Sequence, residues 1–284
     1  MGSEDMLRIE GDFVKAVEVA RSCSFDAVEL HCGHGYLLSQ FLSRATNPAA
    51  KQASDRLEFP LRVVRAVVAA AHNFHPYIAV LVKFNCSEKH EQDLTFEDVR
   101  LYARSFYDAG VDLLVPSGGH VMSNGLHMLR GGRPVAAMAA AQKNPVKRAV
   151  SGLRCLRNTS VMHLQVMSLF GRALIAEEVF RPAFFRERSI ALALSCGIPM
   201  SSMCCVGGVQ ELAVAEACVQ VDGFGAVQMG RALLADADWC VKNELAAGEA
   251  SGDIHMCDKA NQCIVGPTMA LQPLRCAKLK HAQW

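Results

Sequence analysis

No stretch of eighteen consecutive apolar residues occurs in the 284-residue chain, and a helix needs about that many to cross a bilayer. The opening MGSEDMLRIEGDF has neither the basic region nor the apolar core of an export signal. Membrane insertion and export are therefore not expected, and a soluble cytoplasmic chain is. An excess of either charge is missing as well. The 29 Lys and Arg and 28 Asp and Glu leave a formal net of +1, with no basic block to hold a nucleic acid or an anionic membrane. There is no compact disulfide framework, because the 12 cysteines are scattered along the chain, a pattern that fits reduced, mostly buried thiols. Nor does a glycine-rich nucleotide fingerprint follow the first apolar strand, where an open doubly wound sheet would carry one.

What is present is apolar material, 51% of residues, enough for a sizeable core. Helical and strand-like segments alternate along it. Asp12 to Cys23 predicts a helix and FDAVELH a strand; Asp55 to His72 a helix and YIAVLVKF a strand. LTFEDVRLYARSFYDAG predicts a helix with Thr95 as N-cap and Gly110 at its end, followed by the strand VDLLVPS. After an irregular stretch at about 118–180, too long for an ordinary connection, Arg186 to Cys196 predicts a helix and MSSMCCV a strand. VQELAVAEACVQ then predicts a helix, FGAVQM a strand and RALLADADWCVKNELAAG one final helix. Nearly continuous apolar strands between helices argue for a parallel sheet covered by helices.

Polar chemistry gathers at the strand ends, as in a (β/α) barrel. The stretch VELHCGHGYLLSQFLS places His31, His34 and Tyr36 directly after an apolar run, with Gly33 and Gly35 between them. The glycines allow a sharp turn that would converge the two imidazoles on one point, with Tyr36 beside it. Such a pair could hold a carbonyl oxygen or an anion, bind a metal, or serve only structure; spacing alone leaves all three open. A nearby tyrosine is a reasonable proton donor to carbon. Lys83 ends IAVLVKF and would face the barrel mouth. At an effective dielectric of about 20 and about 4 Å it would stabilise a unit anion by about 4 kcal/mol, although a lysine snorkelling to solvent fits the sequence equally well. Gly207 and Gly208 after one strand, and Gly230 with Arg231 after the next, form the inventory of a phosphate site.

Together these motifs resemble the Old Yellow Enzyme family of FMN-dependent NAD(P)H:flavin oxidoreductases and ene-reductases. FDAVELHCGHGYLLSQFLS, VLVKFNCSE, AGVDLLVPSGG, CCVGGVQ and GAVQMGRALLADADW follow in family order, so the resemblance runs from about Phe13 to Cys276. It implies an α/β fold, a partial (β/α)8 TIM barrel corresponding to strands 4 to 8, in a single incomplete domain over 1–284 with a Cys-containing tail at about 255–284. It implies FMN as cofactor, NADH or NADPH as reductant, and a small-molecule acceptor such as an activated alkene. His31 and His34 would hold the acceptor's electron-withdrawing group, Tyr36 would protonate the neighbouring carbon and Lys83 would stand beside the flavin pyrimidine. Gly207, Gly208, Gly230 and Arg231 would hold the FMN phosphate.

The chain departs from the family in three places. The loop after Asn47 is shortened to PAAKQASDRLEF. Ala260 lies between Cys257 and Cys263 where some relatives have a ligand of an iron–sulfur cluster, leaving Cys257, Cys263 and Cys276 short of the four thiolates of a cubane. Three amino-terminal β/α units, on the order of 90 residues at the usual barrel size, are expected to be absent. Weak FMN binding, and a homo-oligomer or complementing chain covering the open side, follow as expectations. A non-catalytic remnant or interaction subunit is the alternative.

Overall fold

The computed structural model describes residues 1–74, 76–87, 94–121, 125–132, 179–246, 254–264, 274 and 276. They fall into two compact units, one of Met1–Met128 with Arg181–Met229, the other of Leu129–Phe180 with Gly230–Trp284. Most of the irregular stretch at about 118–180 and much of the tail lie outside the described residues.

The first unit runs α1 (Ser3–Ser22), β1 (Ala27–Cys32), α2 (Leu37–Leu42), α3 (Ala53–His72), β2 (Ala79–Ser87), α4 (Phe96–Asp108) and β3 (Leu113–Gly118). It continues through α5 (Gly125–Leu129, whose last residue belongs to the second unit), α6 (Arg186–Cys196), β4 (Cys204–Val206), α7 (Leu212–Glu216) and β5 (Ala226–Gln228). β1, β2 and β3 pair in parallel, as do β4 and β5, and a single parallel bridge from Leu114 to Met203 joins the two groups. The five strands thus stand side by side in chain order. Laid flat at about 4.8 Å per strand, β1 and β5 would be about 19 Å apart, beyond the reach of two side chains. Yet Gln228 Nε2 on β5 donates to Glu29 Oε2 on β1 at 2.9 Å. The strand array must curl, which is how such a sheet begins to enclose a space.

Alternation sets its two faces. Leu30 and Cys32 of β1 and Val80, Val82 and Phe84 of β2 are buried on the side where α3 and α4 lie against β2; Phe84 meets Phe106 of α4 with ring centroids 5.8 Å apart. α4 starts as its sequence dictates: Thr95 Oγ1 accepts from Asp98 N–H and Asp98 Oδ2 accepts from Thr95 N–H, both at 3.2 Å, a reciprocal capping box. Gly110, at φ +89°, turns the chain out of it. The other face, carrying Glu29, His31 and Lys83, is the open one.

Several expectations need correction. α1 begins nine residues earlier than the apolar spacing from Asp12 suggests, at Ser3, since an exposed helix tolerates the polar residues that precede it. The apolar run after Tyr36 is itself a helix, α2. MSSMCCV is strand only at Cys204–Val206, its first residues forming a 3-10 turn at Met200–Ser202, and VQELAVAEACVQ ends in a π-turn at Ala217–Val221. The final helix is two, α8 (Arg231–Ala235) and α9 (Trp239–Ala246). Asp236 breaks it: its carboxylate accepts from Asp238 N–H at 3.1 Å, His255 N–H at 2.9 Å and Lys242 Nζ at 2.6 Å, bonds that a helix-interior aspartate would not make. No described helix is long and apolar enough to cross a membrane.

The shortened loop after Asn47 is organised by Arg56, whose side chain is 0% exposed. Its guanidinium donates to the carbonyls of Leu42, Ala50 and Lys51 at 3.0–3.2 Å, to Tyr102 Oη at 3.2 Å and to Asp98 Oδ1 at 3.1 Å. One buried cation therefore ties the loop to α3 and α4. The eleven described cysteines are all free, with Cys32, Cys86, Cys204, Cys205 and Cys218 buried, and burial raises the thiol pKa of Cys204 to about 12.

Candidate active site

β1 ends at Cys32, and the next four residues fold into a tight turn. His34 stands at φ +60° and Gly35 at φ +83°, and a non-glycine residue in the left-handed region needs outside support. Asn85, at the end of β2, supplies it: Asn85 Oδ1 accepts from His34 N–H at 3.0 Å, and its Nδ2 donates to Gly119 O at 3.0 Å. His120 closes the other side through a parallel bridge to His34. Its imidazole lies where an added Cβ on Gly35 would meet it, and at φ +83° any side chain there would be strained as well.

The turn brings three predicted residues together. The His31 ring lies 4.8 Å from that of His34, edge to face, and 5.0 Å from that of Tyr36, centroid to centroid. Gly33 N–H donates to His31 Nδ1 at 3.3 Å, which puts the His31 proton on Nε2. His34 Nε2 meets Ser117 Oγ, at the end of β3, at 2.8 Å. If Ser117 donates, His34 Nδ1 keeps its proton and is a second donor. Tyr36 caps α2 and is 52% exposed. Burial, and then the Lys83 cation, lower the His31 pKa against an opposing pull from Glu29. Burial, His31 and Lys83 together take His34 down to about 3. Both rings are thus held towards the neutral form, His31 with its proton on Nε2 and His34 with one on Nδ1 when Ser117 donates.

Lys83 pairs in register with His31, and its Nζ donates to Glu29 Oε1 at 2.7 Å. Glu29 is the member of this cluster that the sequence reading missed. Its signal was there: two positions before His31 on a strand, it must share the face of His31. Ser87 Oγ and His127 Nε2, 2.8 Å apart, add a further polar pair at the same strand ends. Among the described residues no group of three or more His, Cys, Asp or Glu is disposed to hold a metal.

The predicted phosphate residues divide between the units. Gly207 and Gly208 follow β4 in the first unit, at φ +100° and +81°. A Cβ at Gly207 would press to 2.7 Å of the Phe184 ring. Gly230 and Arg231 belong to the second unit, where Arg231 Nη1 donates to Arg130 O at 3.1 Å and to Asn261 Oδ1, and burial lowers the guanidinium pKa. With Cys257, Cys263 and Cys276, Arg231 lines a cavity of about 20 Å³.

The chain is similar to known proteins. A family model described as NADH:flavin oxidoreductase / NADH oxidase matches residues 1–146. The 4,4'-dithiodibutanoate disulfide reductase of Rhodococcus erythropolis is 28% identical over 261 residues, covering 90% of this chain and 58% of that protein. An NADPH dehydrogenase of Bacillus licheniformis is 28% identical over 159 residues, covering 54% of this chain and 47% of that protein. The chain therefore spans about half the length of these curated relatives. Among solved structures, a 2-naphthoyl-CoA reductase complex superposes with a TM-score of 0.67 at 16% identity, covering 97% of this chain and 34% of that one. That likeness shows an α/β fold in common.

Proposed function

The chain belongs to the NADH:flavin oxidoreductase / NADH oxidase family, and from that membership we infer that it carries the acceptor-binding half of an FMN-dependent NAD(P)H oxidoreductase of the Old Yellow Enzyme type. The five curled strands then correspond to strands 4 to 8 of a (β/α)8 barrel, their carboxyl ends forming the site. The observation that carries this reading is the His31 ring, its centroid 4.8 Å from that of His34 and 5.0 Å from that of Tyr36, beside the Lys83–Glu29 pair.

The residues present suit a flavin: an open face with one ammonium group and two imidazoles, and two successive glycines, Gly207 and Gly208, at positive φ after β4. Bound there, FMN would accept hydride from NADH or NADPH and deliver it to the acceptor. Lys83 would lie by the pyrimidine, and the backbone of Gly207 and Gly208 would take the phosphate.

The acceptor gains an anionic atom as hydride arrives. With an activated alkene that atom is the enolate oxygen, held by the His31 and His34 N–H donors while Tyr36 gives its proton to carbon. With a disulfide, the substrate class named for the Rhodococcus relative, hydride attack on one sulfur breaks the S–S bond and leaves a thiolate, which the same two donors can hold until it is protonated. Electrostatic stabilisation by such donors is commonly the largest catalytic contribution.

The test is to load the protein with FMN, reduce it anaerobically with NADH or NADPH, and add an enone or a dithiodialkanoate in separate runs. Reoxidation of the flavin by at least one, lost in His31→Ala/His34→Ala, is expected. Flavin that neither compound reoxidises faster than buffer alone contradicts the reading and favours a non-catalytic member of the family.

A further inference from the structure

The open face of the curled sheet carries one connected polar chain in which the reading above gives a role to Lys83 alone. Glu29 accepts from Lys83 Nζ at 2.7 Å with one carboxylate oxygen and from Gln228 Nε2 at 2.9 Å with the other. The chain crosses from β2 to β1 to β5 and joins residues 199 apart in sequence. The side chains of Lys83 and Glu29 are only 16% and 25% exposed, so the pair is partly withdrawn from water and weakly screened. Gln228 Oε1 is buried without a hydrogen-bond partner among the described residues, so the amide takes its orientation from donation to Glu29; a flipped amide would set its oxygen against the carboxylate.

We propose that Glu29, clamped by Gln228, is a positioning residue that fixes where the Lys83 ammonium stands and how much of its charge reaches His31 and His34. Register alone would leave the cation free to lie along His31, its partner on β1. The carboxylate draws it one pleat back along β1, away from the imidazoles, and offsets its charge there. The groups facing His31 are Lys83 from β2, Glu29 from its own strand, His34 and Tyr36 from the turn, and on β4 Cys204 faces the Glu29–Lys83 pair. Lys83 lowers the proton affinity of both imidazoles. By holding the cation, Glu29 sets how good a pair of hydrogen-bond donors the two rings are. The catalytic meaning of this rests on the function proposed above; the positioning itself does not.

The test therefore needs no flavin. The imidazole titration of His31 is followed by NMR in wild type, Glu29→Gln, Lys83→Met and the double variant, with circular dichroism to verify folding. If Glu29 acts by placing Lys83, Glu29→Gln lowers the His31 pKa by at least twice as much in the presence of Lys83 as in the Lys83→Met background. Gln228→Leu, which removes the clamp and no charge, should shift it the same way by a smaller amount. Equal shifts with and without Lys83 would mean that Glu29 acts only through its own field, and no shift in any variant would mean that it has no such role; either overturns the proposal. If wild type takes up no FMN, the functional reading fails while this titration still decides the role of Glu29.

Discussion

His34 and Ser117 lie 83 residues apart in sequence, and His34 Nε2 meets Ser117 Oγ at 2.8 Å. The bond ties the turn after β1 to the end of β3 across the strand between them. It also holds an imidazole where burial, His31 and Lys83 bring its pKa to about 3.

That depression makes stability depend on pH. An unfolded histidine titrates near about 6.5, so between that value and about 3 the unfolded chain binds more protons than the folded one. Stability then rises with pH: the contribution is complete above about 6.5 and is lost progressively as the pH falls towards 3. Mid-window, each such group contributes a slope of up to about 1.4 kcal/mol per pH unit. Urea unfolding through the acid range should show a shallower slope for His34→Asn, by close to one proton. Identical slopes would mean that His34 is protonated in the folded state.

Removing both imidazoles removes both donors. In the FMN-loaded protein, His31→Ala/His34→Ala should weaken binding of a phenol or enone and slow enone turnover, one such donor being worth about 3 kcal/mol in the transition state. Enone kinetics unchanged in the double variant would eliminate the pair from the chemistry.

Arg56 anchors the shortened loop. Arg56→Met takes away its bonds to three carbonyls, Tyr102 and Asp98, although Arg44 still reaches Asp98 at 3.1 Å. Breaking a buried ion pair from one side typically costs about 3 kcal/mol or more. The urea midpoint should fall accordingly; a midpoint within error of wild type would show that the loop holds without it.

If Arg231 takes the phosphate, Arg231→Ala should weaken FMN far more than riboflavin, since only FMN offers a charge-assisted partner. Riboflavin also controls for the lost contacts to Arg130 and Asn261. Equal losses for the two flavins would assign the phosphate to other residues.

The elements with strong local signals were legible in the sequence. Each of the five apolar strands overlaps an observed one, although β1, β2 and β3 run one to three residues further; Thr95 caps α4 as predicted, and α6 keeps its bounds, Arg186–Cys196. The histidine turn was legible too, because glycine spacing and strand position act over a few residues. What escaped depends on distance. Nothing near Glu29 reveals that Gln228 will reach it, since that contact exists only once five strands have curled. Arg56 looks like one charge among many on an amphipathic helix until the loop folds over it. The break at Asp236 needed His255 and Lys242, whose bonds to the carboxylate no helical periodicity announces.

The most direct measurement is a titration of FMN with this chain, read by quenching of flavin fluorescence and followed, at excess protein, by anaerobic addition of NADH and of NADPH. Saturable quenching, tighter for FMN than for riboflavin, with the bound flavin bleached by at least one nucleotide, is the expected result, however weak the binding. No saturable uptake of FMN, or a bound flavin indifferent to both nucleotides, would contradict a flavin oxidoreductase site on the open face of this sheet.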